Sequence, residues 1–392
     1  MKRVRERNSH LLILLSGMVA GVPRQGGVAW IVLQYALGLK RMGHEVVLVE
    51  PVTKSDLRPA GAPLAASENA VCFRRIVRRF GLKDSAALLL SGTRETVGRP
   101  YEWLRKAARE SDLLVNIGGG LADEALLAPV PVRLYLDLDP GFTQLWHAVE
   151  GIDMRFAGHT HYATVGLTVG EPGCPVPTCG VDWIPTRQPV VLSEWPFAGA
   201  IERDALTTVA NWRGYGSVEA NGVFYGQKVH SFRRLIDLPR RTAARFELAL
   251  AIDPGETRDL SALAENGWHL LDPRSAAGTP DAYRRFIQGS RAEFSIAKSG
   301  YVEARCGWFS DRSVCYLTSG RPVIVQDTGF RDALPVGEGL FAFKTGDDVV
   351  EAIDTLAHDY EGQRRAARAI AEAFFDSDIV LSRLLARAGV AA

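Results

Sequence analysis

The sequence predicts an α/β protein in two halves, each a parallel sheet flanked by helices. Two strand–helix–strand patterns and one connector predict it. The first pattern opens the chain: an apolar strand at 10–15, a glycine-rich loop at 16–27, a helix at 28–42 closed by Gly43, and a strand at 45–50. The second fills 294–330. A short apolar strand leaves through Lys298-Ser299-Gly300, and a helix at 314–318 follows Ser310-Asp311-Arg312-Ser313. Gly320-Arg321-Pro322 stops that helix, a β-branched strand occupies 323–326, and Asp327-Thr328-Gly329 turns the chain. Between the patterns, 169–189 is too rich in Pro and Gly for a helix and too apolar for a disordered linker, so it reads as an ordered crossover. A chain of 392 residues has room for two or three domains.

In chain order, Gly26 and Gly27 close the first loop, where the lack of a side chain lets backbone come close to a substrate. A helix at 71–80 turns Arg74, Arg75, Arg78 and Arg79 to one side, a stripe that suits solvent or an anionic acceptor. A strand at 113–117 runs into Gly118-Gly119-Gly120. A strand at 133–137 releases two acids, Asp137 and Asp139, at its carboxyl end, ahead of the turn at Pro140-Gly141. His159 and His161 offer imidazoles, with no third ligand at metal spacing. The second half begins with a strand at 206–211 that leads to Trp212-Arg213-Gly214. Asn221-Gly222 signals a hairpin, and Lys228 precedes a helix at 232–236. A strand at 245–252 and helices at 256–265 and 280–288 come before the second pattern. A strand at 339–343 and helices at 347–356, 360–375 and 377–388 finish the chain.

In the second pattern the polar groups gather where open α/β sheets bind ligands, outside the carboxyl ends of the strands. A helix start there offers free N–H groups to a phosphate. Ser310, Asp311, Arg312 and Ser313 are therefore anion-binding candidates, and the Arg312 guanidinium can grip phosphate with two hydrogen bonds.

Composition excludes some classes. Apolar content of 47% and charged content of 23% are ordinary for a globular chain, and a net charge of +1 argues against general nucleic-acid affinity. Cys72, Cys174, Cys179, Cys306 and Cys315 are scattered, which suits a reducing compartment; Cys174 and Cys179 lack a second pair to complete a zinc site. The apolar run after the basic start is too short for a signal core, and no stretch is long enough to span a bilayer. A cytoplasmic protein is the expectation.

The run Ser319-Gly320-Arg321-Pro322, its apolar strand and Asp327-Thr328-Gly329 together resemble the donor-site segment of GT-B glycosyltransferases, in particular family 1/4-like bacterial and phage proteins. Gly43-His44-Glu45-Val46 with the preceding Gly26-Gly27 loop, and Asp182-Trp183-Ile184-Pro185-Thr186-Arg187-Gln188-Pro189, resemble the same group. The resemblance implies two Rossmann-like domains facing across a cleft. An acceptor domain would span 1–185 and a nucleotide-sugar donor domain 186–375, with a last helix in 376–392 crossing back. It implies transfer of a sugar from a nucleotide sugar, a UDP-sugar by preference, to a hydroxyl on a small molecule, glycan, protein or modified DNA base. No metal or other cofactor is expected. Carried onto this chain, Ser310, Arg312, Ser313 and the local backbone N–H groups, that of Asp311 among them, would hold the diphosphate, helped by Lys228 and Lys298, with Ser299 and Gly300 also on the donor side. Arg213 beside Trp212 is the second basic choice. Asp327, Thr328 and Gly329 would lie near the sugar. Asp137 or Asp139, or else His159 or His161, would handle the acceptor. The chain departs from the double-glutamate signature of retaining members: Cys315 and Gly307 stand at its two positions. That departure keeps two alternatives open, a non-catalytic nucleotide- or glycan-binding module and a UDP-sugar epimerase.

Overall fold

The computed structural model describes residues 10–390. The basic start at 1–9 and the last two positions of the 376–392 segment lie outside the described residues. The first half contributes β1 (Leu12–Ser16), β2 (Glu45–Val52), β3 (Ala86–Leu90), β4 (Thr96–Gly98), β5 (Leu113–Ile117), β6 (Val132–Asp137), β7 (His161–Thr164) and β8 (Trp183–Pro185). They form one sheet in the order β4-β3-β2-β1-β5-β6-β7-β8, parallel at every pairing except β3 with β4. Helices cover both faces, which is why β1 and β3 read as unbroken apolar runs rather than alternating ones.

The second half contributes β9 (Arg203–Asn211), β10 (Val218–Ala220), β11 (Val223–Tyr225), β12 (Phe246–Ala251), β13 (His269–Leu271), β14 (Ser290–Ser295), β15 (Val323–Gln326) and β16 (Leu340–Phe343). Six of these make an all-parallel sheet in the order β13-β12-β9-β14-β15-β16, and β10 with β11 is a separate hairpin. Asn221 and Gly222 turn that hairpin with φ of 51° and 75°, the left-handed pair that a two-residue turn requires. The architecture is the expected one: two Rossmann-like domains.

Several boundaries moved. The helix expected at 314–318 runs over Asp311–Thr318, because Ser310 caps it by accepting a hydrogen bond from the Arg312 amide at 3.2 Å. A short helix, Ser299–Ala304, fills what the sequence read as loop. The crossover at 169–189 includes β8, which completes the first sheet.

The two domains are tightly joined along the helix Gly26–Arg41. Its Trp30 donates from Nε1 to the Pro280 carbonyl at 2.8 Å, and its ring lies 5.0 Å from that of Trp195. Gly26 and Gly27 belong to this helix and not to a substrate loop. A Cβ on Gly26 would stand 2.2 Å from the Thr279 carbonyl oxygen, and one on Gly27 2.8 Å from the Tyr283 ring. Their bareness serves contact with the second domain, which corrects the expected substrate role. The helix Ser377–Arg387 lies against the same helix, with Arg41 Nε 3.2 Å from Asp378. On the other side, Gly166 after β7 bridges to Trp308, and Thr168 donates from Oγ1 to the Arg305 carbonyl at 2.7 Å. The carboxyl edges of the two sheets therefore meet. Among the described residues, no helix is long and apolar enough to cross a membrane.

Candidate functional site

The site is built where the loop after β6 meets the loop after β14. Asp137 ends β6 and is buried. Its Oδ1 accepts from the Asp139 amide at 2.9 Å and from Thr143 Oγ1 at 2.7 Å; its Oδ2 accepts from Gln144 Nε2 at 2.9 Å and Thr164 Oγ1 at 2.7 Å. Four donors saturate this carboxylate, so it shapes the loop and leaves no lone pair convenient for a substrate.

Asp139 is the acid that this loop presents. Lys298 Nζ sits 3.1 Å from its Oδ1 and 3.0 Å from its Oδ2, and the Tyr301 hydroxyl donates to Oδ1. Lysine and tyrosine come from the second domain and the carboxylate from the first. Aromatic rings wall the ammonium: Tyr215 with its centroid at 3.8 Å, Phe142 and Tyr301 both at 4.9 Å. Trp146 packs on Tyr215 at 4.4 Å. Burial pushes the Asp139 carboxyl up to about 8, against the pull of the Tyr301 hydrogen bond, and draws the Lys298 ammonium down; their contact at 3.0 Å favours the charged form of both and opposes these shifts.

Behind this pair lies a second group of charges. Lys228 begins the helix Lys228–Arg233 and donates from Nζ to the Ile296 carbonyl, just past β14. Burial, then the neighbouring Arg312, lowers its ammonium to about 7. Arg312 does not extend into the cleft as expected. Its guanidinium lies on the face of the second sheet, with Nε 2.6 Å from Glu293 Oε1, Nη1 2.8 Å from the Val209 carbonyl and Nη2 2.6 Å from Ser295 Oγ. Glu293 is fully buried in β14, and a buried carboxylate demands a partner, so Arg312 turns inward to supply it.

The other candidates divide. Ser299 is buried, with its Oγ unpartnered among the described residues, and so is Ser313. Gly300 packs on the first domain: a Cβ there would stand 2.6 Å from the Phe142 ring. Burial raises the Asp311 carboxyl beside the same helix start. Ser295, Trp308, Ser310, Ser313 and Gln326 line a cavity of only about 10 Å³, the room of one water, so a nucleotide entering here must part the loops. Arg213 is exposed and paired with Glu256, while Trp212 is a core residue whose Nε1 donates to Asp259 at 2.8 Å. Asp327 accepts from the Gly329 amide at 2.9 Å and pairs with Arg331 at 3.0 Å. Thr328 donates to the Trp308 carbonyl. Gly329, at φ +97°, passes so near the Arg305 carbonyl that a Cβ would stand 2.7 Å from it. This turn grips the loop 305–308.

The histidines do not join the acids. His161 starts β7 opposite Leu134, three residues before the carboxyl edge at Thr164, and its ring meets Thr160 at 3.0 Å. His159 has both nitrogens engaged, Nε2 by the Asn116 amide at 3.0 Å and Nδ1 by the Phe156 carbonyl at 3.2 Å. Burial lowers it, which keeps it neutral and structural. A larger cavity of about 420 Å³, lined by Leu12, His44, Val47, Trp103 and Lys106, opens at the amino ends of the first sheet's strands and touches none of the candidates.

Sequence reasoning missed Tyr215, Phe142 and Tyr301 around the lysine, Glu293 beneath Arg312, and Glu50. Glu50 ends the glycine loop's travel: its Oε1 accepts from the amides of Val19 at 2.9 Å, Ala20 at 2.8 Å and Gly21 at 2.6 Å. A buried acid inside the apolar strand β2 was the signal available for it.

The fold is of the GT-B class, as comparison with solved structures bears out. An alpha-glucosyltransferase in complex with UDP-glucose and DNA containing an abasic site aligns over 97% of this chain and 99% of its own, at a TM-score of 0.61 and 12% identity. HepE from Anabaena, in complex with UDP and glucose, aligns over 97% of this chain and 100% of its own at 0.58 and 12% identity. A glycosyltransferase from Rickettsia africae ESF-5 aligns over 96% and 97% at 0.53 and 11% identity. No family model and no curated protein matches the sequence.

Proposed function

We propose that the protein is a glycosyltransferase that takes a sugar from a nucleotide-sugar donor, a UDP-sugar by preference, and passes it to a hydroxyl acceptor. The observation that carries the reading is the meeting of one unsaturated carboxylate, Asp139, with the lysine of the opposing edge, Lys298. Neighbours of the same fold in complex with UDP or UDP-glucose support it. Under this reading residues 1–185 bind the acceptor and 186–375 the donor, and the free cysteines suit a reducing, cytoplasmic setting.

In the reaction, the acceptor oxygen bonds to the anomeric carbon while its proton passes to the Asp139 carboxylate. The bond from that carbon to the phosphate oxygen breaks, and its electron pair leaves with the nucleoside diphosphate. Burial moves Asp139 toward the proton affinity that a general base needs near neutral pH. Lys228 and Lys298 supply positive charge to the leaving group, the work a metal ion does in other transferases, so the proposal needs no metal. Asp137 fixes the loop that carries the base.

One feature favours DNA as the acceptor. The helix Glu68–Arg79 exposes Arg74, Arg75, Arg78 and Arg79, and among the described residues only Arg79 of the four has a carboxylate partner, Asp281 at 3.3 Å. Like charges at this spacing weaken a helix, so an external polyanion is the partner that would repay them. The neighbour complexes containing DNA support this choice.

The test is a panel of UDP-, GDP-, TDP- and CMP-sugars, scored for thermal shift and for release of the nucleotide. Stabilisation by UDP-sugars with slow UDP release is the expected result. Binding without release points to a silent module, and isomerised sugar without release to an epimerase.

A further inference from the structure

The clasp between Lys298 and Asp139 sets two proposed roles against each other. While the ammonium sits on both carboxylate oxygens, at 3.0 and 3.1 Å, it is not available to a phosphate, and the carboxylate is not available to an acceptor proton. We infer that Lys298 is a charge-exchange residue: an arriving donor diphosphate draws it off Asp139 and so frees the acceptor base only when a donor is bound. The inference rests on the transfer reading above.

Four observations carry it. First, Asp139 is the only one of the two acids on this lip that has capacity to act, since Asp137 already accepts four hydrogen bonds. Second, the backbone of Asp139 is pinned through its amide to Asp137, so removal of Lys298 leaves the carboxylate in place, still held by the Tyr301 hydroxyl. Third, the pair spans the two domains, and rings from both sides enclose it, Phe142 from the first and Tyr215 and Tyr301 from the second. Parting the edges to admit a nucleotide necessarily strains this contact. Fourth, the pair is not sealed: the Lys298 and Asp139 side chains keep 19% and 25% exposure, so an anion can reach the ammonium from solvent.

The exchange is favourable because a diphosphate offers more charge and more acceptor oxygens than one carboxylate that Tyr301 already shares. Its consequence is economy of reaction. Without donor the base is masked by the ammonium. With donor the same lysine stabilises the leaving group, and the base faces the acceptor.

The expected effect of removing the carboxylate has an unusual sign. Asp139→Asn removes the competitor for Lys298, so UDP, used as the probe, should bind about three- to tenfold more tightly by calorimetry, although transfer is lost. Asp139→Ala should shift affinity in the same direction, and it serves if the asparagine variant folds poorly. Lys298→Met should weaken UDP by about tenfold or more. If wild type binds UDP and both Asp139 variants, folded by thermal melt, bind it no more tightly, the exchange is refuted while the transfer reading stands. Lys298→Met binding UDP as wild type does refutes it equally. If wild type binds no nucleoside diphosphate, the transfer reading falls, and the exchange with it.

Discussion

Arg312 Nε lies 2.6 Å from Glu293 Oε1, within the body of the second domain rather than at its edge. The helix Asp311–Thr318 and the strand β14 are joined through this pair, with Ser295 and the Val209 carbonyl completing the fork. Arg312→Ala strands a buried carboxylate. We expect a loss of roughly 3–5 kcal/mol of stability, the cost of breaking one partner of a buried pair. Chemical denaturation measures it. The double change Arg312→Met with Glu293→Gln should recover most of the loss, and recovery would not occur if Arg312 acted chiefly on a ligand.

Gly26 is expected to tolerate no side chain. A methyl group there meets the Thr279 backbone carbonyl at 2.2 Å, and a backbone carbonyl does not yield easily. Gly26→Ala should cost roughly 1–3 kcal/mol and loosen the domain pair. Limited proteolysis near 186–202, compared with wild type, reports the loosening.

Lys228 gives a pH dependence with a definite sign. Its ammonium titrates near 7 because of burial and Arg312, with Glu293 and Asp311 opposing that shift. A bound diphosphate favours the charged form, so above pH 7 binding must take up a proton. UDP affinity should fall as pH rises from 7 to 9, by at most about tenfold per unit for one linked proton. Lys228→Arg should flatten the profile, since arginine stays charged throughout. A wild-type affinity independent of pH over this range would remove Lys228 from the diphosphate site.

The arginine face on Glu68–Arg79 is tested by charge reversal. Arg75→Glu with Arg78→Glu should abolish retention of double-stranded DNA and leave UDP binding unchanged. Wild-type retention should weaken steeply with salt, as counterion release requires. Salt-insensitive binding, or binding that survives the reversal, would point to a different acceptor.

The sequence made the two halves legible because short apolar strands alternate with helices and glycine stops, a signal that local physics writes directly. It also exposed Asp139 and Lys298, each as a polar residue at the carboxyl end of a buried strand. Their pairing was not legible, because 159 positions separate them and only the apposition of the two sheets brings them together. Arg312 misled for a related reason. A guanidinium at a helix start reads as a phosphate ligand until one knows that Glu293 lies beneath it on the neighbouring strand. Gly26 and Gly27 carried a true signal of close approach, but the approaching group was the second domain. The His159 and His161 pair suggested chemistry through residue type alone, and strand direction carries His161 away from the edge where the acids lie.

The most direct test of the account follows UDP release from UDP-glucose and its congeners over hours, with wild type and Asp139→Asn side by side. Wild type should release UDP slowly, and faster with the right acceptor, while Asp139→Asn, which still binds UDP, should release at least about a hundredfold less. Equal release by the two proteins, or none from any donor with any acceptor, would contradict the account.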